Sequence, residues 1–314
     1  MDKSLVTGGA GFIGSHLVDE LLRRGSQVTV VDDMSNGSLE NLRATLHDIT
    51  VIEEDISKDG FDVEGDFDVV FHLATHPRSF SLTDPYRNLE VNAKGMLNIL
   101  ELAKRKNSRV VYTSNSGIYG EPKFLPINES HPDDPTTPYD ATKLIGEHLA
   151  KIYHRIHGVP SVTFRLATVY GERQKVNEKL KWKPVVAEFV DKVLHGEAPT
   201  VFGDGNQTRD FVYVKDVVKG LILGTKSESA NGEVMLLSTG RETSINQMLS
   251  SIIKVTGRDV QARFGPPSPG DIRRMVYSFE KAKRLVGYEP DYPLERGLER
   301  YVAWCRETSA GKKS

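Results

Sequence analysis

The sequence predicts an α/β fold, a doubly wound parallel sheet followed by a smaller C-terminal α/β portion. Three observations carry this reading. Short apolar runs alternate with amphipathic stretches through the first half, a glycine-rich turn joins the first run to the first helical stretch, and the alternation loosens beyond residue 167. The strand candidates are residues 4–6, 28–31, 50–52, 68–72, 109–112 and 161–165. All are short and rich in β-branched residues, as strands buried on both faces are. Between them, residues 16–24 carry Leu17, Val18, Leu21 and Leu22 at helical spacing, and residues 91–104 carry Val91, Met96, Leu97, Ile99, Leu100 and Leu102. Polar and basic loops follow near 171–183, then a helix around 184–195 and the cluster Pro266-Pro267-Ser268-Pro269. The expected division is 1–167 for the sheet domain, with a returning segment at about 208–235. Residues 168–207 and 236–314 are left for a substrate-binding portion over the carboxyl ends of the strands, where such sheets bind ligands.

The first turn makes the sheet Rossmann-type and nucleotide-binding. In Val6-Thr7-Gly8-Gly9-Ala10-Gly11-Phe12-Ile13-Gly14, glycines stand at 8, 11 and 14 between a strand and a helix. Backbone without Cβ lets a pyrophosphate approach, and free amides at the helix N-terminus attract it. Asp32 closes the second strand 24 residues after Gly8. A carboxylate there suits a ribose hydroxyl and repels a 2′-phosphate, so the cofactor expected is NAD.

Composition excludes several other classes. The chain has 314 residues and a formal net charge of −2, with dispersed basic residues and no footprint for nucleic acid or an anionic membrane. The single cysteine, Cys305, rules out an intrachain disulfide and a cysteine metal cluster, and no metal site is expected. With no long apolar span and no leader-like start, a cytoplasmic location is expected.

Tyr139 and Lys143 stand four residues apart, on one face of a helix entered through Pro135-Thr136-Thr137-Pro138. A lysine beside a tyrosine favours the phenolate, as would the positive charge of an oxidised nicotinamide, so a lowered Tyr139 pKa and a general-base role are expected. Two other pairs share the spacing. Pro122 argues against a helix from Tyr119 to Lys123, and Tyr277 to Lys281 lies far from the dinucleotide half.

With these motifs in order, the chain resembles the extended short-chain dehydrogenase/reductase family, in particular the NAD-dependent sugar-nucleotide epimerases and dehydratases. The resemblance runs through Asp55-Ile56, His72-Leu73-Ala74, Asn92-Ala93-Lys94-Gly95, Thr113 to Gly120, Tyr139 and Lys143, Val169-Tyr170-Gly171, and Thr208 to Val214 followed by Asp216. It implies that Asp33, Asn36 and Gly37 join Asp32 at the adenosine ribose, and that Asp55 and Ile56 flank adenine. Leu73, Ala74, Thr75, Asn92 and Thr113 would line the cofactor path, and Lys143 would hold the nicotinamide ribose. Arg209 would bind a sugar-nucleotide diphosphate. Each has a plainer reading: Asp55 as a turn cap, Asn92 as a local helix partner, Arg209 in a surface ion pair.

The chain departs from the family pattern on the sugar side. Asn115 takes the place of a catalytic Ser or Thr, with Ser114 and Ser116 beside it. Asn both donates and accepts, so any of the three is a candidate to orient the sugar. The dehydratases carry Asp-Glu and the decarboxylases Ser-Glu where this chain has Ser116-Gly117, which argues against dehydration. Thr168 replaces an Asn, Ser268 stands where an Arg is usual, and Arg263, Arg273 or Arg274 could compensate. Met275 falls at the position that admits or excludes N-acetylated sugars.

The resemblance therefore implies redox-neutral 4-epimerisation of a nucleoside-diphosphate hexose, a UDP-sugar of the UDP-glucose/UDP-galactose type, in a homodimer joined through residues 85–106 and 138–157. The alternatives are another sugar-nucleotide enzyme (reductase, decarboxylase or dehydratase) and a non-catalytic NAD sensor.

Overall fold

A computed structural model describes residues 3–174, 176, 183–268 and 270–310. Its first element, β1 (Lys3–Thr7), leads through the glycine turn into α1 (Phe12–Arg23), and β2 (Gln27–Asp32) and β3 (Ile49–Glu53) follow. After β4 (Val69–His72) comes a short helix, α2 (Pro85–Leu89), started by Pro85 and capped by the Asp84 carboxylate on the Arg87 amide. One π turn, Glu90–Lys94, joins it to α3 (Gly95–Lys106). The helix expected over 91–104 is thus a π turn and a helix, the turn opened at Asn92 and its polar partners.

Then come β5 (Arg109–Asn115), the long α4 (Pro138–His157), β6 (Ser161–Leu166) and β7 (Thr168–Tyr170). The remainder comprises α5 (Val185–Leu194), β8 (Thr200–Phe202), β9 (Thr208–Arg209), β10 (Phe211–Tyr213), α6 (Val214–Gly224), β11 (Val234–Leu237), β12 (Thr243–Ser244), α7 (Ile245–Thr256), β13 (Arg263–Gly265), α8 (Glu280–Val286) and α9 (Leu294–Ala310). Of the loops expected near 171–183, positions 175 and 177–182 lie outside the described residues, as do 311–314 of the tail.

Seven of the strands form one all-parallel sheet in the order β11-β6-β5-β4-β1-β2-β3. The order reverses beside β1, which opens the ligand crevice at the glycine turn. Alternate strand residues supply two cores. Val6, Val28, Val30, Phe71 and Val111 pack with Leu17, Val18 and Leu21 of α1 and Val217, Leu221 and Ile222 of α6. Leu5, Val31, Val70, Val110 and Tyr112 pack with Met96, Ile99 and Leu100 of α3 and Ala150 and Tyr153 of α4. The two-faced burial is what the apolar runs specify.

The last sheet strand comes from late in the chain: β11 pairs with β6, so the returning segment reaches Leu237. A third core forms the smaller portion, where Phe189, Val190 and Val193 of α5, Met248, Leu249 and Ile252 of α7 and Leu298, Tyr301 and Val302 of α9 meet. Two buried carboxylates fasten this portion down. Asp210 accepts hydrogen bonds from the amides of Thr239 (2.8 Å) and Gly240 (3.0 Å), and Asp216 from those of Asp291 (2.8 Å) and Tyr292 (3.1 Å). Burial pushes both acids up to about 6 despite these donors.

Candidate active site

At the amino end of α1 the chain has little room. Gly8 has φ +70°, and a Cβ there would stand 2.6 Å from the Ala74 amide nitrogen, while one on Gly14 would overlap the Gly8 carbonyl oxygen. Gly11 caps α1 without a side-chain bond, leaving the amides of Phe12, Ile13 and Gly14 turned outward. Asp32 lies below the turn, 6% exposed, accepting from the amides of Ala10 (2.9 Å) and Met34 (3.0 Å). Burial raises its pKa, these donors opposing. Gly37 closes over it, since a Cβ there would stand 2.6 Å from Asp32 Oδ1. A pyrophosphate cradle with a carboxylate one strand away fits a dinucleotide with a free ribose.

Around this cradle several expected contact residues hold one another. The Asp33 carboxylate accepts from the Ser35 amide (3.0 Å) and faces Arg87 at 3.4 Å; Asn36 reaches Ser35. Asp55 accepts from the amide (2.8 Å) and hydroxyl (2.7 Å) of Ser57 and pairs with Arg87 at 2.8 Å. The plain reading of Asp55 as a turn cap is thus present in the structure. Beside it Ile56 is buried against Gly95. Arg87, which binds Asp33 and Asp55 together, carries no motif and was not foreseen.

The β4 end forms a polar network. The Leu73 amide bonds the Thr7 carbonyl (3.1 Å), and the Ala74 amide reaches the Thr7 hydroxyl (3.4 Å). Asn92, 1% exposed, accepts from the His76 amide (2.8 Å) and Thr75 hydroxyl (3.0 Å), and donates to Thr142 (3.1 Å). Asn92 therefore ties the loop after β4 to α4.

Tyr139 and Lys143 occupy the first turns of α4, where Pro138 and the Thr137 cap, which accepts from the Asp140 amide at 3.2 Å, fix the start. Lys143 is 2% exposed, its Nζ donating to the Thr113 carbonyl (2.9 Å) and lying 5.0 Å from the Tyr112 ring centre and 5.9 Å from that of Tyr139. Burial lowers the ammonium to about 7, with the Glu147 carboxylate, one turn further on, opposing. The expected lowering of Tyr139 is not what the structure gives. Burial raises the phenol to about 12, Thr75 opposing through a hydrogen bond, Asp140 adding to the rise and Arg78 countering it. The lysine fails to lower it because its own charge is weakened by burial and aimed at a backbone carbonyl.

At the carboxyl end of β5, Asn115 donates from Nδ2 to Asp140 Oδ1 at 2.9 Å, while its buried Oδ1 has no partner among the described residues. Ser114 is buried with its hydroxyl unpartnered among the described residues, and Ser116 hydrogen-bonds Tyr277. Thr113 is buried too, its hydroxyl on the His72 carbonyl (3.2 Å). The expected anion-binding groups are differently engaged. Arg209 donates to the carbonyls of Thr208 (2.7 Å) and Ile272 (2.8 Å) and pairs with Asp271. Arg273 pairs with Asp204 at 2.7 Å and Arg274 with Glu242 at 2.6 Å, both on the surface, and Arg263 is exposed on β13. Thr168 is half-buried at the start of β7, Ser268 is exposed, and Met275 is buried beneath Tyr277. Among the described residues no cluster of His, Cys, Asp and Glu could hold a metal.

The model of the NAD-dependent epimerase/dehydratase family matches residues 4–237. The chain belongs to this family. It is 34% identical to the UDP-glucose 4-epimerase of Mycolicibacterium smegmatis over 98% of this chain and 99% of that one. It is 33% identical to UDP-glucuronic acid decarboxylase 1 of Danio rerio, over 96% of this chain and 72% of the other. Among solved structures, UDP-glucose 4-epimerase of Thermotoga maritima with UDP-glucose superposes with a TM-score of 0.89 at 34% identity, covering 98% of this chain and 99% of that one. The Rossmann-type fold and the NAD-type cradle agree with that membership.

Proposed function

We propose that this protein is a 4-epimerase of a nucleoside-diphosphate hexose, of the UDP-glucose/UDP-galactose type, using NAD in the cytoplasm. The observation that carries the reading is the Tyr139–Lys143 pair at the carboxyl edge of β5, beside a Ser116-Gly117 step without the acidic residue that dehydration or decarboxylation would use. Gly8, Gly11, Phe12, Ile13 and Gly14 would hold the cofactor's pyrophosphate, Asp32 its ribose hydroxyls, and Lys143 the second ribose. When bound, oxidised NAD supplies the hydride acceptor and a positive charge. Tyr139 removes the proton from the sugar's C4 hydroxyl as that carbon is oxidised, and returns it after the planar 4-keto sugar has turned over. A phenol held near 12 is a poor base alone, so its function depends on positive charge arriving with the ligands.

The reading is tested by incubating the protein and NAD with UDP-, GDP- and dTDP-sugars and resolving products by chromatography. C4 epimers with no net change in reduced-nicotinamide absorbance are expected. Net reduction of NAD, or release of carbon dioxide from a UDP-uronic acid, would replace epimerisation by an oxidase or decarboxylase. Binding of NAD with no turnover of any sugar would favour a sensor.

A further inference from the structure

Asn115 stands where a hydroxyl residue would both donate to and accept from a sugar. An amide can present either its donor or its acceptor end, so its role depends on what fixes its rotation. That group is Asp140, next to Tyr139 in the first turn of α4 and fully buried. Its Oδ1 accepts from Asn115 Nδ2 at 2.9 Å, and its Oδ2 accepts from the Thr137 hydroxyl at 2.7 Å and faces Arg78 at 3.5 Å. A carboxylate accepts only, so the Asn115 amide must turn its NH2 towards it and its carbonyl away. Gly117 makes the arrangement possible, since a Cβ there would stand 2.5 Å from Asp140 Oδ1. The other end of Asn115, Oδ1, is buried and without a partner among the described residues. It lies at the carboxyl end of β5, on the ligand edge of the sheet.

We propose that Asp140 is a positioning residue that locks Asn115 as a hydrogen-bond acceptor, so that the sugar must offer a hydroxyl proton to Asn115 Oδ1. This rests on the sugar-nucleotide reading above. An acceptor at that place rewards a hydroxyl and penalises a group that cannot donate, which a serine would not do as strictly.

The test compares UDP-glucose with its 3-deoxy-3-fluoro and 4-deoxy-4-fluoro analogues, because fluorine keeps the size but removes the donor. Binding is measured by calorimetry on the NAD-loaded protein in a Tyr139→Phe background, which slows turnover and removes the tyrosine's own contact. At least tenfold weaker binding of one fluoro analogue is expected. That ratio should fall to near unity in Asn115→Ala. It should fall severalfold in Asp140→Asn, where the new amide no longer dictates the rotation. A merely structural role for Asp140 would weaken all three ligands alike and leave the ratio unchanged, which overturns the proposal. If Asp140→Asn does not fold, Asn115→Ala and Asn115→Ser decide: an undiminished ratio in both overturns it. If no UDP-, GDP- or dTDP-sugar binds, the sugar-nucleotide reading falls and takes this inference with it; equal affinity for the sugar nucleotide that binds and its fluoro analogues overturns the inference alone.

Discussion

Tyr139 and Lys143 show what spacing conveys and what it omits. Four residues on a helix place both groups on one face, but the protonation of each is decided by burial, by Asp140 and Glu147 of the same helix, and by Thr75 and Arg78, which come from elsewhere in the chain. Replacing Tyr139 by Phe should lower epimerisation by about 10²–10⁴-fold, the usual contribution of a positioned acid or base, while NAD titration by fluorescence remains unchanged. Lys143 makes a prediction about stability. Its proton is lost at about 7 in the folded protein and at an ordinary 10.5 in the unfolded chain, so between these values the unfolded state binds more protons. Stability contributed at this site therefore rises with pH across that window. Urea midpoints of the wild type and of Lys143→Met, taken at pH 7 and pH 10, should diverge in favour of the wild type as pH rises; a constant difference would contradict the buried, weakened ammonium. Asn115 was marked as a departure by sequence, whereas Asp140 was not, because the link between them needs the end of β5 beside the start of α4.

The glycine turn is the element most fully legible beforehand. Its spacing follows from backbone that must pass close to Leu73 and Ala74 after β4, in the form of turn that leaves helix amides free for an anion. Substitution of Gly14 by Ala would drive a methyl group into the Gly8 carbonyl, and neither backbone can yield. NAD affinity should fall at least tenfold and the melting temperature with it, both measurable by thermal shift with and without NAD. The strands were also legible, since burial on both faces leaves a continuous apolar run. What sequence could not convey is the π turn at Glu90–Lys94 and the loop network around Asn92. Their shape is set by Thr75, His76 and Thr142, side chains brought in by tertiary packing rather than by any local pattern. The arginines were ambiguous for the same reason: Arg209, Arg273 and Arg274 have donors enough for a diphosphate, and only the fold reveals that Asp271, Asp204 and Glu242 stand within reach.

At the scale of the whole molecule, α3 and α4 cover one face of the sheet yet leave apolar side chains outward. Leu97, Ile145, Ile152 and Ile156 are 38%, 41%, 40% and 64% exposed, the last three along one side of α4. A second copy of the same pair of helices would cover them as a four-helix seam, the dimer expected from the family resemblance. Sedimentation should give twice the 35.0 kDa chain mass, and Ile152→Glu, which places a charge in the seam, should return the monomer. A monomeric wild type would overturn the dimer expected from the resemblance.

The seventh strand has a bearing on how the molecule is made. β6, every residue of which is buried, acquires its outer neighbour only when β11 is available, some seventy positions later. A sheet formed before residues 234–237 were in place would present the unpaired N–H and C=O groups of β6 along its edge. The residues of the glycine turn thus precede, in chain order, the strand that closes the sheet's far edge. An edge left open in that way is the kind of surface a wrong strand could pair with.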